Sequence, residues 1–182
     1  MIEREDIVAA VVAAAGGELT SRVRLQKSVY LLDRLGLKSG FEYDYYHYGP
    51  YSRDLDNAMA DAEAFDLIEE CFARRASDGA RYSIFKLKPD AQLKAGAYGG
   101  LGQEKTRALA KRFVKTNVTV LELAATIDWV WREEQIADWR SEVRKRKSSK
   151  VEHGRLDRAV ELLRELNLSP PNLSPPTTSA AG

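Results

Sequence analysis

The chain reads as an α+β protein, mainly helical, with a winged-helix-like N-terminal half (helices plus a β-hairpin) and a helical C-terminal extension. Three observations predict this class. Apolar residues recur at helical spacing through most of the first third of the chain. Two runs rich in strand formers, 67–75 and 81–87, flank the turn signal Ser77-Asp78-Gly79. From residue 103 onward the helical pattern returns.

Ile7, Val8, Val11, Val12 and Ala15 predict a first helix, with acids in its first turn and Gly16-Gly17 at its end. Thr20 is placed to cap a second helix, whose apolar positions Val23, Leu25, Val29, Tyr30, Leu32 and Leu35 run to Gly36. Phe41, Tyr43 and Tyr45 alternate with polar residues, which predicts a short strand entering a fixed corner at Gly49-Pro50. Ser52 then offers a cap for a third helix reaching Phe65, with Leu55, Ala58, Met59 and Ala62 on its apolar stripe. The hairpin follows, giving the helix, helix, short strand, helix, hairpin order of a winged helix.

After Lys88-Pro89, the Gly- and Ala-rich stretch 95–102 reads as a hinge. Helices are expected over 103–115, after a capping box formed by Thr119 and Glu122, over 136–147 and over 156–166. The predicted organisation is 1–94 for the winged-helix-like region, 95–166 for a helical extension packed on it, and 167–182 for a disordered tail. That tail repeats Asn-Leu-Ser-Pro-Pro and carries no charge.

Length suffices for a core without staples, and the single cysteine, Cys71, excludes an internal disulfide. Cys71 itself reads as a small core residue of a strand. The opening Glu3, Arg4, Glu5 and Asp6 lack the basic leader of a secretory signal, so a cytoplasmic location is expected. The net charge of +1 hides a division: residues 1–70 hold 7 basic and 14 acidic side chains, residues 71–182 hold 21 and 13. Such polarity either steers an oppositely charged partner or is neutralised by packing of the two halves.

Residues able to do chemistry are sparse. His47 and His153 lie far apart, and neither a phosphate-cradling Gly-rich loop nor a His-Glu-x-x-His helix is present in the sequence. No cofactor or metal is expected, and the chain is expected not to be an enzyme. Nucleic acid is a second-choice partner. The third helix carries Asp54, Asp56, Asp61 and Glu63 against Arg53, which disfavours the usual groove docking. Other basic positions remain as possible phosphate contacts: Arg74 and Arg75 with Arg81, Lys105 to Lys115, and Arg144, Lys145, Arg146 and Lys147 with Lys150. A protein partner comes first. Tyr43, Tyr45, Tyr46 and His47 are the candidate contact residues, because aromatic side chains dominate interface hot spots. Tyr30, Tyr48 and Tyr51 are expected in the core.

Two blocks, Leu25-Gln26-Lys27 with Tyr30, and Tyr48-Gly49-Pro50-Tyr51-Ser52 with Leu55, resemble the motifs of the SocA-like (Panacea) antitoxin domain and its YwgA-like relatives. The likeness covers roughly residues 3–90, with an echo in 121–131. His47 and Pro50-Tyr51 lie nearer the YwgA-like form. The resemblance implies a mainly structural role for these motif residues and a bacterial antitoxin that binds and neutralises a toxin encoded beside it. The alternative is a DNA-associated winged-helix regulator using basic C-terminal helices.

Overall fold

The structure, a computed structural model, describes residues 1–171. Helix α1 (Arg4–Ala14) begins with a reciprocal capping box between Glu3 and Asp6. Its alanines and valines are covered on every side, by the helices 53–64 and 103–115, a strand of the sheet and a 3-10 turn, so it forms the central post of the molecule. Small side chains allow that many neighbours to approach closely.

Strand β1 (Glu18–Thr20) follows, so Thr20 is a strand residue and Ser21 is the cap of helix α2 (Arg22–Arg34). Its hydroxyl accepts from the Arg24 amide at 3.3 Å while its own amide donates to the Ser83 carbonyl at 2.7 Å. Strands β2 (Asp44–Tyr46) and β3 (Gly49–Tyr51) form a hairpin. Ser52 then caps helix α3 (Arg53–Ala64), accepting from the Leu55 amide at 3.2 Å. Strands β4 (Ile68–Arg74) and β5 (Arg81–Leu87) complete an antiparallel sheet in the order β1-β5-β4, with Leu19 opposite Phe85 and Cys71 opposite Ile84. This is winged-helix order, with the β2–β3 hairpin inserted between the second and third helices.

The C-terminal half contains α4 (Gln103–Lys115), α5 (Val118–Arg132), α6 (Trp139–Lys147) and α7 (Arg155–Glu165). Helix α5 is apolar almost all round and packs against α2, β3, α6 and α7. Its cap is Asn117, whose side chain accepts from the Thr119 and Val120 amides, rather than the expected Thr119 and Glu122 pair. One hydrophobic cluster runs from Ile7 through Leu121 to Leu168, so both halves share a core. Among the described residues, no helix is long and apolar enough to cross a membrane.

The segment expected as a hinge is a packed splice. Ala95–Tyr98 forms a 3-10 turn with Ala97 and Tyr98 buried beside α1. Gly99 lies so near the Leu37 carbonyl that a Cβ would sit 1.8 Å from its oxygen, and the Gly100 amide donates to the same oxygen at 3.2 Å. The glycines serve close backbone approach here, not bending. The first residues of the expected disordered tail are ordered. The Leu168 amide bonds to the Leu163 carbonyl and its side chain is buried, whereas residues 172–182 of the expected disordered tail lie outside the described residues.

Gly49, the glycine of the hairpin, is tightly constrained: its φ is +85° and a Cβ would meet the Thr126 hydroxyl at 2.6 Å. Gly49→Ala is expected to destabilise the fold by about 3 kcal/mol, from left-handed backbone strain plus overpacking. Adding Thr126→Ala removes the clash but not the strain, so urea denaturation should show roughly half of the loss restored.

Candidate partner-binding site

The hairpin places its aromatic side chains by alternation. Tyr46 pairs with Gly49, which leaves His47 and Tyr48 as the tip, followed by a glycine in the left-handed region that allows so tight a return. The Gly-Pro element is therefore the return strand of a hairpin and not a strand-to-helix corner. Tyr46 is 58% exposed and Tyr48 52% exposed, with His47 exposed between them. Tyr48 thus departs from its expected core position, because a tip residue has no layer to pack into.

The other two candidate contacts point inward. Tyr43 donates its hydroxyl to Asp33 at 2.7 Å and meets the Tyr30 ring edge-on at 5.0 Å. Burial, then the Asp33 carboxylate, raises its hydroxyl pKa well above the usual range. It is a structural residue. Tyr45 is partly buried, with the Arg146 guanidinium 4.6 Å above its ring and Trp129 alongside at 6.4 Å. Tyr51 is also partly buried, its hydroxyl on Asp56 at 2.8 Å.

The second helix anchors this hairpin. The Gln26 side chain accepts from the Ser52 amide at 3.0 Å and donates to the Ser52 carbonyl at 2.8 Å, reproducing the two bonds of a neighbouring strand. Lys27, fully buried, donates to the Pro50 carbonyl. Tyr30, also buried, donates to Asp128 of α5 at 2.7 Å, and Arg34 and Arg132 bind the same carboxylate. Leu25 fills the core. The residues singled out as Leu25, Gln26, Lys27 and Tyr30, then Gly49, Pro50 and Ser52, are the contacts that hold α2, β3 and α5 together.

Beneath the hairpin lies a buried ion cluster. Glu122, a carboxylate on the apolar helix α5, accepts from Lys147 at 2.9 Å and Lys150 at 2.8 Å. Lys147 also donates to the His47 carbonyl at 3.3 Å, and Lys150 stands 4.7 Å above the Tyr48 ring. Burial lowers the Lys147 pKa and pushes Lys27 down to about 7, with Glu122 opposing the shift in both cases. Lys147 is therefore an internal group, and the half-buried Arg146 is engaged by Glu134 and Glu142, so neither stands ready as the expected nucleic-acid contact. Arg144, Lys145, Arg74 and Arg75 are exposed. Sequence reasoning passed over Glu122 as a capping residue. An acid inside the most apolar helix, as Asp128 also is, was its signal.

Two concavities flank the hairpin. A cleft of about 550 Å³ is bounded by Tyr30, Trp129, Asp33, Arg34, Asp44 and Glu133. A wider groove lies between the β4–β5 turn, the hairpin tip and the first turn of α5.

Fold and site together define a winged-helix-type α+β domain that presents a braced aromatic hairpin. No family profile matches the chain. A DNA ADP-ribosyl glycohydrolase of Thermus aquaticus is 30% identical to it over 131 residues, which cover 69% of this chain and 34% of that protein. The chain therefore spans about a third of the length of the relative it matches. The relative is by name an enzyme, which overturns the expectation, drawn from the scarcity of catalytic motifs, that this chain is not one.

The Lys27 ammonium sets a pH dependence. Its pKa is about 7 when folded against a usual value of 10.5, so between those limits the unfolded chain holds a proton that the folded chain lacks. Stability should therefore rise with pH across that window and fall as pH drops toward 7. Between pH 7 and 9 the wild type should gain about 2 kcal/mol relative to Lys27→Met, measured by urea denaturation of both proteins.

Proposed function

We propose that the chain is a protein-binding module that works as a SocA-like antitoxin does, capturing a toxin made beside it in the bacterial cytoplasm. The observation that carries this reading is the tip Tyr46-His47-Tyr48, exposed yet braced by Gly49, Gln26 and Lys27. Aromatic side chains on a rigid protrusion bind at low entropic cost, which is how hot spots form. The similarity to a DNA ADP-ribosyl glycohydrolase supports a definite partner chemistry. An enzyme that removes ADP-ribose from DNA opposes one that attaches it, and the captured toxin in this reading is such a transferase. The exposed acids Asp61 and Glu63 on α3 suit the basic surface by which a protein of that kind grips DNA.

A second reading rests on the same relative: the chain itself takes part in releasing ADP-ribose. The cleft beside Tyr30 and Trp129 favours it, since it combines aromatic faces, carboxylates and Arg34. Incubating the chain with an ADP-ribosylated oligonucleotide and following free ADP-ribose by chromatography tests it. Release that Asp44→Asn and Glu133→Gln abolish supports this reading, and no release above the protein-free control removes it.

The binding reading predicts that the chain forms a one-to-one complex with the neighbouring toxin and relieves its growth arrest. Tyr46→Ala with His47→Ala should weaken the complex by about 2 kcal/mol, roughly 30-fold in Kd, by calorimetry. Both side chains are exposed, so the melting midpoint should barely move. Unchanged affinity in the double variant would sink the assignment of the tip.

A further inference from the structure

The wider groove, about 1150 Å³, is lined mainly by cations among its charged groups. Arg74, Arg75, Arg81 and Lys150 face it against one carboxylate, Glu122, which Lys147 and Lys150 already engage. The arginines are held without being neutralised. Arg74 donates to the Gly79 carbonyl at 3.0 Å, and the Arg81 guanidinium lies 3.6 Å from the centre of the Phe72 ring. Arg75 meets Asp78 at 2.8 Å, but both are well exposed, so water and salt screen the pair. Tyr48 and Tyr82 line the same groove.

Cations along a concave track, with aromatic faces between them, meet the requirements of a single-stranded nucleic acid: phosphates to neutralise and unpaired bases to stack. A duplex fits poorly. Its bases are already stacked, and the third helix, which would enter its major groove, presents acids to the phosphates. We propose that this groove binds a single strand, with Arg74, Arg75 and Arg81 on its phosphates and Tyr48 and Tyr82 against its bases. This groove shares Tyr48 with the tip but is tested through Arg74, Arg75 and Tyr82, whereas capture of a protein is tested through Tyr46 and His47, so the failure of one reading is distinguishable from the failure of the other.

The test uses fluorescence anisotropy of the full chain with a labelled oligothymidine of about 15 nucleotides at low salt. The strand should bind, with affinity falling as salt rises at a slope near −0.7 for each phosphate contacted. Arg74→Ala with Arg75→Ala should weaken it about tenfold or more, whereas Lys105→Ala with Lys111→Ala, two exposed lysines on α4, should leave it unchanged. Tyr48→Ala with Tyr82→Ala should weaken binding of oligothymidine but not of an abasic strand of equal length. A hairpin duplex and poly-glutamate should bind at least tenfold more weakly. Absence of binding, equal loss from the α4 pair, or equal affinity for duplex or poly-glutamate would each overturn the proposal.

Discussion

A three-residue strand paired on one side only cannot be stable, and the hairpin of this protein depends on a substitute for its missing neighbour. That substitute is the side chain of Gln26. Its amide offers one donor and one acceptor to Ser52, as a peptide group of an adjacent strand would, and Lys27 takes the next outward carbonyl, that of Pro50. The buried lysine costs desolvation energy, which Glu122 partly offsets from across the interface. Everything distinctive about the molecule follows from this junction. It fixes where α3 starts, how close α5 comes, and which way the hairpin points.

The buried ion pairs do not simply neutralise the acidic first part against the basic remainder. Glu122 meets Lys147 and Lys150 within the basic part itself, the acid coming from the apolar α5. Asp128 binds Tyr30 and Arg34 from α2. At the surface, Asp61 and Glu63 of α3 and Arg74, Arg75 and Arg81 around the β4–β5 turn remain exposed, so part of the polarity visible in the sequence survives there.

Most of the helical frame was legible in the letters, because periodicity, caps and glycines report local energetics. The hairpin β4–β5 was readable for the same reason. Strand β1 was not, since three residues carry no period and Glu18–Thr20 becomes a strand only because Phe85 and Ile84 lie opposite. The stretch 95–102 looked like a hinge because glycine has two uses, freedom and closeness, and only the Leu37 carbonyl decides between them. Within the site, Tyr46 and His47 were readable as exposed, but Tyr43 and Tyr48 exchanged roles. Their positions depend on the hairpin register, which one sequence does not display. The internal use of Lys147 was equally hidden, as its partner Glu122 is distant in sequence.

The bracing of the hairpin separates two kinds of sequence freedom. Gln26, Lys27, Gly49 and Ser52 cannot change without loosening the frame, whereas His47 and Tyr48 touch the frame chiefly through a backbone carbonyl and one stacked ammonium. If the tip binds a partner as proposed, natural variation there redirects recognition while leaving folding almost untouched. A lineage in conflict with a changing partner would possess, in these few positions, a dial that turns without disturbing the machine behind it.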